Sequence, residues 1–113
     1  MTGTCQKSRW DDDIWGPMTE SSIRRRQAEL GRARISRYTY ERGDEIIGTS
    51  KACVAYVLKG RCLLTSGEAT TSLEAGDVLS FSGGDLKIRV DEEDPAVVVW
   101  VWAFSDLFRQ DLT

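Results

Sequence analysis

From residue 32 onward, short apolar segments alternate with glycine-containing turns at a spacing of about ten residues. The segments are rich in valine, isoleucine, tyrosine and threonine, which favour strands. They occupy residues 34–41, 54–58, 61–66, 78–81, 86–90 and 96–104. Strands this short and this regularly spaced predict an all-β chain folded as an antiparallel sandwich or barrel.

The chain divides into two parts by composition. Residues 1–31 form an N-terminal arm, and residues 32–113 form one barrel domain, because 113 residues correspond to a single domain by size. Within the arm, residues 19–30 predict one short helix with Thr19 or Ser21 as its N-cap.

Two tryptophans stand in the first part of the arm. Trp10 and Trp15 lie within residues 1–18, which we expect to be irregular. A flexible tail is one interpretation. The other is an arm whose tryptophans dock on the body or on a second subunit, because aromatic side chains bury a large apolar area.

The last strand is apolar on both faces. Side chains alternate along a strand, so Trp100 and Trp102 share one face while Val97, Val99 and Val101 share the other. We therefore expect both faces to be covered. One cover is the barrel interior, and the other is the N-terminal arm or a dimer partner.

The sequence contains no histidine. This excludes Ser-His-Asp and Cys-His catalytic sets within the chain, together with the common histidine-rich zinc and iron sites. The three cysteines form no Cys-x-x-Cys pair. They predict a cytoplasmic protein without a disulfide framework and, since scattered thiols make a poor site, without a metal or other cofactor.

Charge and hydropathy limit the partners. The net charge is −3, which does not suggest a nucleic-acid binder. Arginines cluster between residues 24 and 42, and we expect them to be solvated or paired with the acidic residues 91–94. No apolar run reaches the roughly 18–20 residues of a membrane span, and the polar N-terminus does not have the pattern of a signal peptide.

A spaced signature lies in the second half of the chain. Gly76 is followed by five residues, then Ser82-Gly83-Gly84, two residues, Lys87, three residues and Asp91. This spacing resembles the second motif of the cupin family, the small jelly-roll barrels. In that motif a proline stands where this chain has Ser82, a metal-binding histidine where it has Lys87, and an asparagine where it has Asp91.

The first cupin motif has a weaker counterpart. The segment CVAYVLKG, from Cys53 to Gly60, resembles the end of that motif, with Cys53 in place of a metal-binding glutamate. The family's His-x-His would fall in residues 46–50, where no histidine occurs. The resemblance implies a jelly-roll, double-stranded β-helix barrel whose turns need the glycines, and it denies this chain the family's metal chemistry.

The resemblance also implies that Lys87 points into the barrel, with Arg89 on the same face. Three interpretations stay open: a solvated surface or internal ion pair, an anchor for an anionic ligand, and a catalytic lysine acting as a general base or Schiff-base nucleophile. If instead Leu86, Ile88 and Val90 fill the core, both cations are merely solvated.

Four other residues are candidates for the pocket wall. Cys53 is either a small buried residue or a thiol that lines the pocket. Tyr56, Trp100 and Trp102 either stack on a ligand or serve core and interface packing.

Two functions remain. The first is a metal-independent small cupin that binds a small, anionic and partly apolar organic molecule through Cys53, Tyr56, Lys87, Arg89, Trp100 and Trp102. The alternative is a metal-independent isomerase, epimerase or cyclase of a biosynthetic pathway, acting through Lys87 or neighbouring polar groups. In either case we expect a homodimer, a small-molecule ligand and no membrane or nucleic-acid partner.

Overall fold

Strands dominate the part of the chain that the structure describes. The structure is a computed structural model, and it describes residues 5–30 and 33–103. The elements in chain order are β1 (Cys5–Arg9), α1 (Asp12–Trp15), α2 (Glu20–Leu30), β2 (Ala33–Tyr40), β3 (Glu45–Ser50), β4 (Cys53–Lys59), β5 (Arg61–Ser66), β6 (Ala69–Glu74), β7 (Asp77–Phe81), β8 (Gly84–Arg89) and β9 (Ala96–Ala103).

The strands form two antiparallel sheets. The larger has the order β1-β7-β4-β9-β2, and the smaller has the order β3-β8-β5-β6. From β2 to β9 the chain crosses between the sheets repeatedly, which is the connectivity of a jelly roll rather than of a meander. The prediction of an all-β jelly-roll architecture is confirmed.

The two sheets face each other across an inner core. It combines residues of both sheets: Tyr40, Cys53, Ala55, Val57, Cys62, Leu64, Leu73, Leu79, Phe81, Ile88, Val90, Ala96, Val98 and Trp100. Every second residue of a strand contributes, as the pleat requires. This inner core defines which face of each strand points inward.

A second cluster, the outer core, covers the opposite face of the larger sheet. Its buried members are Trp10, Ile23, Tyr56, Val78, Val99 and Val101. Trp10 and Ile23 come from the N-terminal arm, so the arm covers the valine face of β9. The expectation that both faces of the last strand are covered is confirmed, and the arm docks on the body of its own chain.

The helix expected in the arm is present as α2. Thr19 is its N-cap, because the backbone N–H of Ser22 donates to the hydroxyl of Thr19 at 3.1 Å. The expectation that residues 1–18 are irregular is wrong, since β1 and α1 lie there. The segment of β1 is polar, and it becomes a strand only by pairing with β7.

The strand β3 was also absent from the sequence-based prediction. Its residues are exposed except at the last position, and two adjacent isoleucines replace the usual alternation. It pairs with β8 along one edge. Strand formation here depends on a distant partner, which periodicity does not reveal.

Candidate ligand-binding site

Cys53, Trp100 and Trp102 are the predicted site residues that the structure brings to the inner side. Cys53 and Trp100 are buried in the inner core, and Trp102 packs against it. The two indole rings are stacked, with centroids 6.3 Å apart and planes inclined by 19°. They form an aromatic wall along β9 inside the sandwich.

Tyr56 lies on the other side of the larger sheet. It belongs to the outer core, where its hydroxyl accepts a hydrogen bond from Nε2 of Gln27 at 3.0 Å. Its ring is 5.9 Å from that of Trp10, in an edge-to-face arrangement. Because Cys53 and Tyr56 are three residues apart on one strand, they point to opposite faces, and they do not line one pocket.

The inward orientation expected for Lys87 is wrong. Leu86 and Ile88 face the inner core, so Lys87 and Arg89 lie on the outer face of the smaller sheet. The ammonium group of Lys87 is 4.0 Å from a carboxylate oxygen of Glu45, and its side chain is 37% exposed. Leu86 and Ile88 face the core in place of Lys87, since an unpaired ammonium group buried there would cost several kcal/mol. Arg89 pairs with Asp91 at 3.0 Å.

Polar groups surround the aromatic wall. The indole N–H of Trp102 donates to the hydroxyl of Ser50 at 3.1 Å. The indole N–H of Trp100 donates to the hydroxyl of Tyr40 at 3.0 Å. The guanidinium carbon of Arg34 lies 5.8 Å from the ring centroid of Trp102, within cation–π range.

Sequence reasoning missed Arg34, Ser50 and Tyr40 as site residues. Arg34 is directly opposite Trp102 in the ladder between β2 and β9. Residues opposite each other in an antiparallel pair share a face. The signal was therefore the pairing of two distant strands, which no local pattern contains.

The candidate site lies at the side of the sandwich where β2 and β3 end the two sheets. These are edge strands, one of each sheet. The hydrogen bond from Trp102 of β9 to Ser50 of β3, with β2 paired to β9, places both edges on the same side of the sandwich. Their inward-facing side chains are partly exposed, at 47% for Tyr38 and 45% for Ile46. The aromatic wall and Arg34 thus lie near exposed side chains of both edge strands.

The ionisable groups deepest in this site are uncharged at neutral pH. Burial raises the pKa of Tyr40 to about 12, although the hydrogen bond from Trp100 acts in the opposite direction. Burial likewise raises the pKa of the Cys53 thiol, and the hydrogen bond from Ser50 offsets it only in part. Cys53 is therefore a thiol rather than a thiolate.

The residues at the cupin ligand positions do not fit a metal ion. Lys87 points outward, Cys53 is a protonated thiol in the core, and residues 46–50 offer no ligand atoms beyond hydroxyls and the backbone. In residues 5–30 and 33–103, no three of the Cys, Asp and Glu side chains come together in a group that could hold a metal. No helix of this described part is both long and apolar enough to span a membrane.

No protein-family model matches the sequence, and no curated protein sequence is similar to it. The fold is similar to the crystal structure of a putative ethanolamine utilization protein Q from Salmonella typhimurium, with a TM-score of 0.52 and 15% sequence identity. The match covers 66% of this chain and 60% of that one. At this identity the likeness concerns the fold alone, and it supports a cupin-like fold for this protein.

Proposed function

We propose that this protein is a metal-independent, cupin-like binding protein for a small organic anion with an aromatic or apolar part. The single observation that carries the proposal is the guanidinium of Arg34 beside the ring of Trp102, at the open side of the sandwich. The ligand would stack along the aromatic wall and place its carboxylate or phosphate against Arg34.

Arg34 suits the role of anion anchor, which is one of the roles that the sequence leaves open for Lys87 and Arg89. A guanidinium that lies on an aromatic ring keeps its N–H groups at the edge, where they match a carboxylate in a two-pronged arrangement. Among the described residues, Arg34 forms no ion pair with Asp or Glu. Lys87 and Arg89, in contrast, already have the acidic neighbours Glu45 and Asp91.

Binding is favoured over catalysis by the protonation states inside the site. Tyr40 and Cys53 both have raised pKa values, so neither accepts a proton readily near neutral pH. The isomerase, epimerase or cyclase alternative uses Lys87 or neighbouring polar groups, and Lys87 is on the outer face of the smaller sheet. That alternative stays a prediction.

The test uses benzoate as an anionic aromatic probe and benzyl alcohol as its uncharged counterpart. The protein has four tryptophans, and their indole N–H signals in nitrogen-15 NMR spectra report on two separate places. We expect benzoate to shift the signal of Trp102, and that of Trp100 beside it, while the signals of Trp10 and Trp15 stay fixed in the arm.

Two comparisons make the result specific. Arg34→Met should weaken benzoate binding about tenfold, which corresponds to one charge-assisted hydrogen bond. Arg42→Met is the matched control and should have no effect, since Arg42 pairs with Glu93 in the loop after β8. Equal binding of benzyl alcohol and benzoate would contradict the anion anchor, and shifts confined to Trp10 and Trp15 would contradict the site.

A further inference from the structure

We propose that β3 is a dimerisation edge, across which two copies of this chain pair as antiparallel strands and join their smaller sheets into one sheet of eight strands. The inference does not use the proposed ligand, although β3 also borders the candidate site and the exposure of Ile46 enters both arguments. It rests on the backbone groups, the side chains and the charges of residues 44–51.

The other side of the sandwich is closed by side chains of β1. The ammonium group of Lys7 donates to the carbonyl of Ser72 at 3.2 Å, and the guanidinium of Arg9 donates to the carbonyl of Ala75 at 3.2 Å. These bonds tie the edge strand β1 to the edge of the smaller sheet. Cationic side chains on an edge also discourage pairing with another chain.

The edge of β3 has no such protection. It contains no proline, no lysine and no arginine, and its pairing with β8 runs without a register shift over all six residues. Exposed edges of this kind are templates for another strand, and natural proteins normally blunt them. The edge of β3 can therefore pair with another strand, whereas the cationic side chains of β1 oppose pairing on the other side of the sandwich.

The backbone of β3 presents hydrogen-bonding groups outward in a defined pattern. The N–H of Val90 donates to the carbonyl of Asp44 at 3.2 Å, one of the two bonds of a hydrogen-bonded pair, while the carbonyl of Val90 accepts from the N–H of Gly43 at 2.9 Å. Pairs alternate along an antiparallel ladder, so Ile46 and Gly48 also bond to β8. Glu45, Ile47 and Thr49 therefore direct their N–H and C=O groups toward the free edge.

Two large apolar side chains are exposed on this strand. Ile47 is 73% exposed on the outer face, and Ile46 is 45% exposed on the inner face. Ile14 of α1 and Tyr38 of β2 are the other large apolar side chains with substantial exposure among the described residues. Pairing across β3 would remove both isoleucines from water.

The charges select a second copy in a specific register. If the two-fold axis passes through Gly48, Glu45 lies opposite Lys51 of the second copy, and Lys51 lies opposite Glu45 of the second copy. Ile47 then lies opposite Thr49 of the second copy, on the same face. The pairing has an apolar centre, two charge pairs at its ends, and outward N–H and C=O groups in every hydrogen-bonded position.

Gly48 fits this register. Its φ is not in the left-handed region, and no heavy atom lies within 4 Å of the position that a Cβ would occupy. None of the residues that the structure describes thus requires a glycine here, although glycine weakens a strand by roughly 0.5–1 kcal/mol relative to alanine. On the two-fold axis the two Gly48 residues form a non-hydrogen-bonded pair, where strands approach most closely.

Sedimentation velocity over a range of concentrations tests the proposal on the full chain. We expect a reversible shift from 12.7 kDa to twice that mass. Ile47→Lys should weaken the dimer at least about tenfold, because a lysine at the centre of an edge opposes pairing. Ile14→Lys is the matched control, since Ile14 is 69% exposed on α1, and it should leave the dimer unchanged.

A charge exchange tests the register. Glu45→Lys alone and Lys51→Glu alone should each weaken the homodimer, because like charges then face each other. An equimolar mixture of the two variants should restore a dimer, since both end pairs are again opposite in sign. A chain that stays at 12.7 kDa throughout, a dimer indifferent to Ile47→Lys, or a mixture no more dimeric than either variant would overturn the proposal.

Discussion

Gly60 lies in the turn between β4 and β5, where the backbone conformation and the available space both restrict which residue type fits. Its φ is 75°, in the left-handed region. A Cβ at this position would lie 2.9 Å from the Cα of Ala96 and closer still to the carbonyl oxygen of Pro95. Backbone atoms cannot move aside as a flexible side chain does. The glycine expected from the sequence motif is thus required twice, by conformation and by space.

Gly43 provides the matched comparison for a prediction. Its φ is 89°, but no atom lies within 4 Å of its missing Cβ. We expect Gly43→Ala to cost about 1–2 kcal/mol from the left-handed backbone alone. Gly60→Ala should cost clearly more, because the clash adds to the strain. Urea unfolding of both variants measures the difference, and equal losses would show that the approach of Pro95 is unimportant.

At the scale of elements, the N-terminal arm is part of the fold rather than a tail. The indole N–H of Trp10 donates to the carbonyl of Gly16 at 2.8 Å, which ties α1 to the end of β1. The guanidinium carbon of Arg26 lies 5.9 Å from the ring of Trp10 and 5.6 Å from that of Trp15. One arginine of α2 therefore holds both tryptophans against the sheet.

Replacement of Trp10 tests how much the arm contributes. Trp10→Ala should cost about 3–5 kcal/mol, the usual loss for a buried aromatic side chain. Ile14→Ala is the control in the same arm, and it should change the free energy of unfolding by no more than about 0.5 kcal/mol because the side chain is exposed. Comparable losses for the two variants in urea unfolding would mean that the arm does not pack as described.

At the scale of the whole molecule, side chains of β1 link the two sheets on one side of the sandwich, and exposed side chains of β2 and β3 lie on the other side. Asp77 is buried on the side where β1 links the sheets. One of its carboxylate oxygens accepts a hydrogen bond from Arg9 at 2.7 Å, and the other accepts one from the backbone N–H of Glu74 at 2.8 Å. Burial alone would raise the pKa of Asp77. The bonds from Glu74 and Arg9, with the nearby positive charges, outweigh it and hold the pKa below the ordinary value of an aspartate.

This lowered pKa predicts a loss of stability in acid. Asp77 is ionised in the folded chain at pH values where the unfolded chain already binds a proton, so its contribution is complete above about pH 5 and disappears as the pH falls through the folded pKa. Asp77→Asn should cost roughly 1–3 kcal/mol at neutral pH and flatten the acid limb of stability against pH. Glu68→Gln, in an exposed turn, is the control; an unchanged acid limb in Asp77→Asn would contradict the assignment.

Local sequence patterns predicted much of the architecture. The segments around β2, β4, β5, β7, β8 and β9 were visible as short apolar runs between turns, and α2 had its cap and its length. The strands β1, β3 and β6 were not visible, because all three lie at sheet edges and have no regular buried stripe to set a period. Their existence depends on hydrogen bonds to β7, β8 and β5 respectively.

The candidate site was less accessible to sequence reasoning. The tryptophans of β9 were found, because their alternation with valines is explicit. Arg34 was not, since its place beside Trp102 follows from the pairing of β2 with β9 across more than sixty intervening positions. The resemblance to the cupin motif implies an inward Lys87, whereas the structure has the alternative arrangement, in which Leu86, Ile88 and Val90 face the core.

The sequence by itself determined that this chain is rich in short strands, that its turns need glycine and that no imidazole is present for chemistry. It also determined which residues share a face within one strand, because side chains alternate regardless of context. Only the tertiary structure decided which of two apolar faces lies inside, which cation meets the tryptophans and which edge stays open. Those choices follow from packing between residues far apart in the chain, and packing between sheets is not encoded in any single segment.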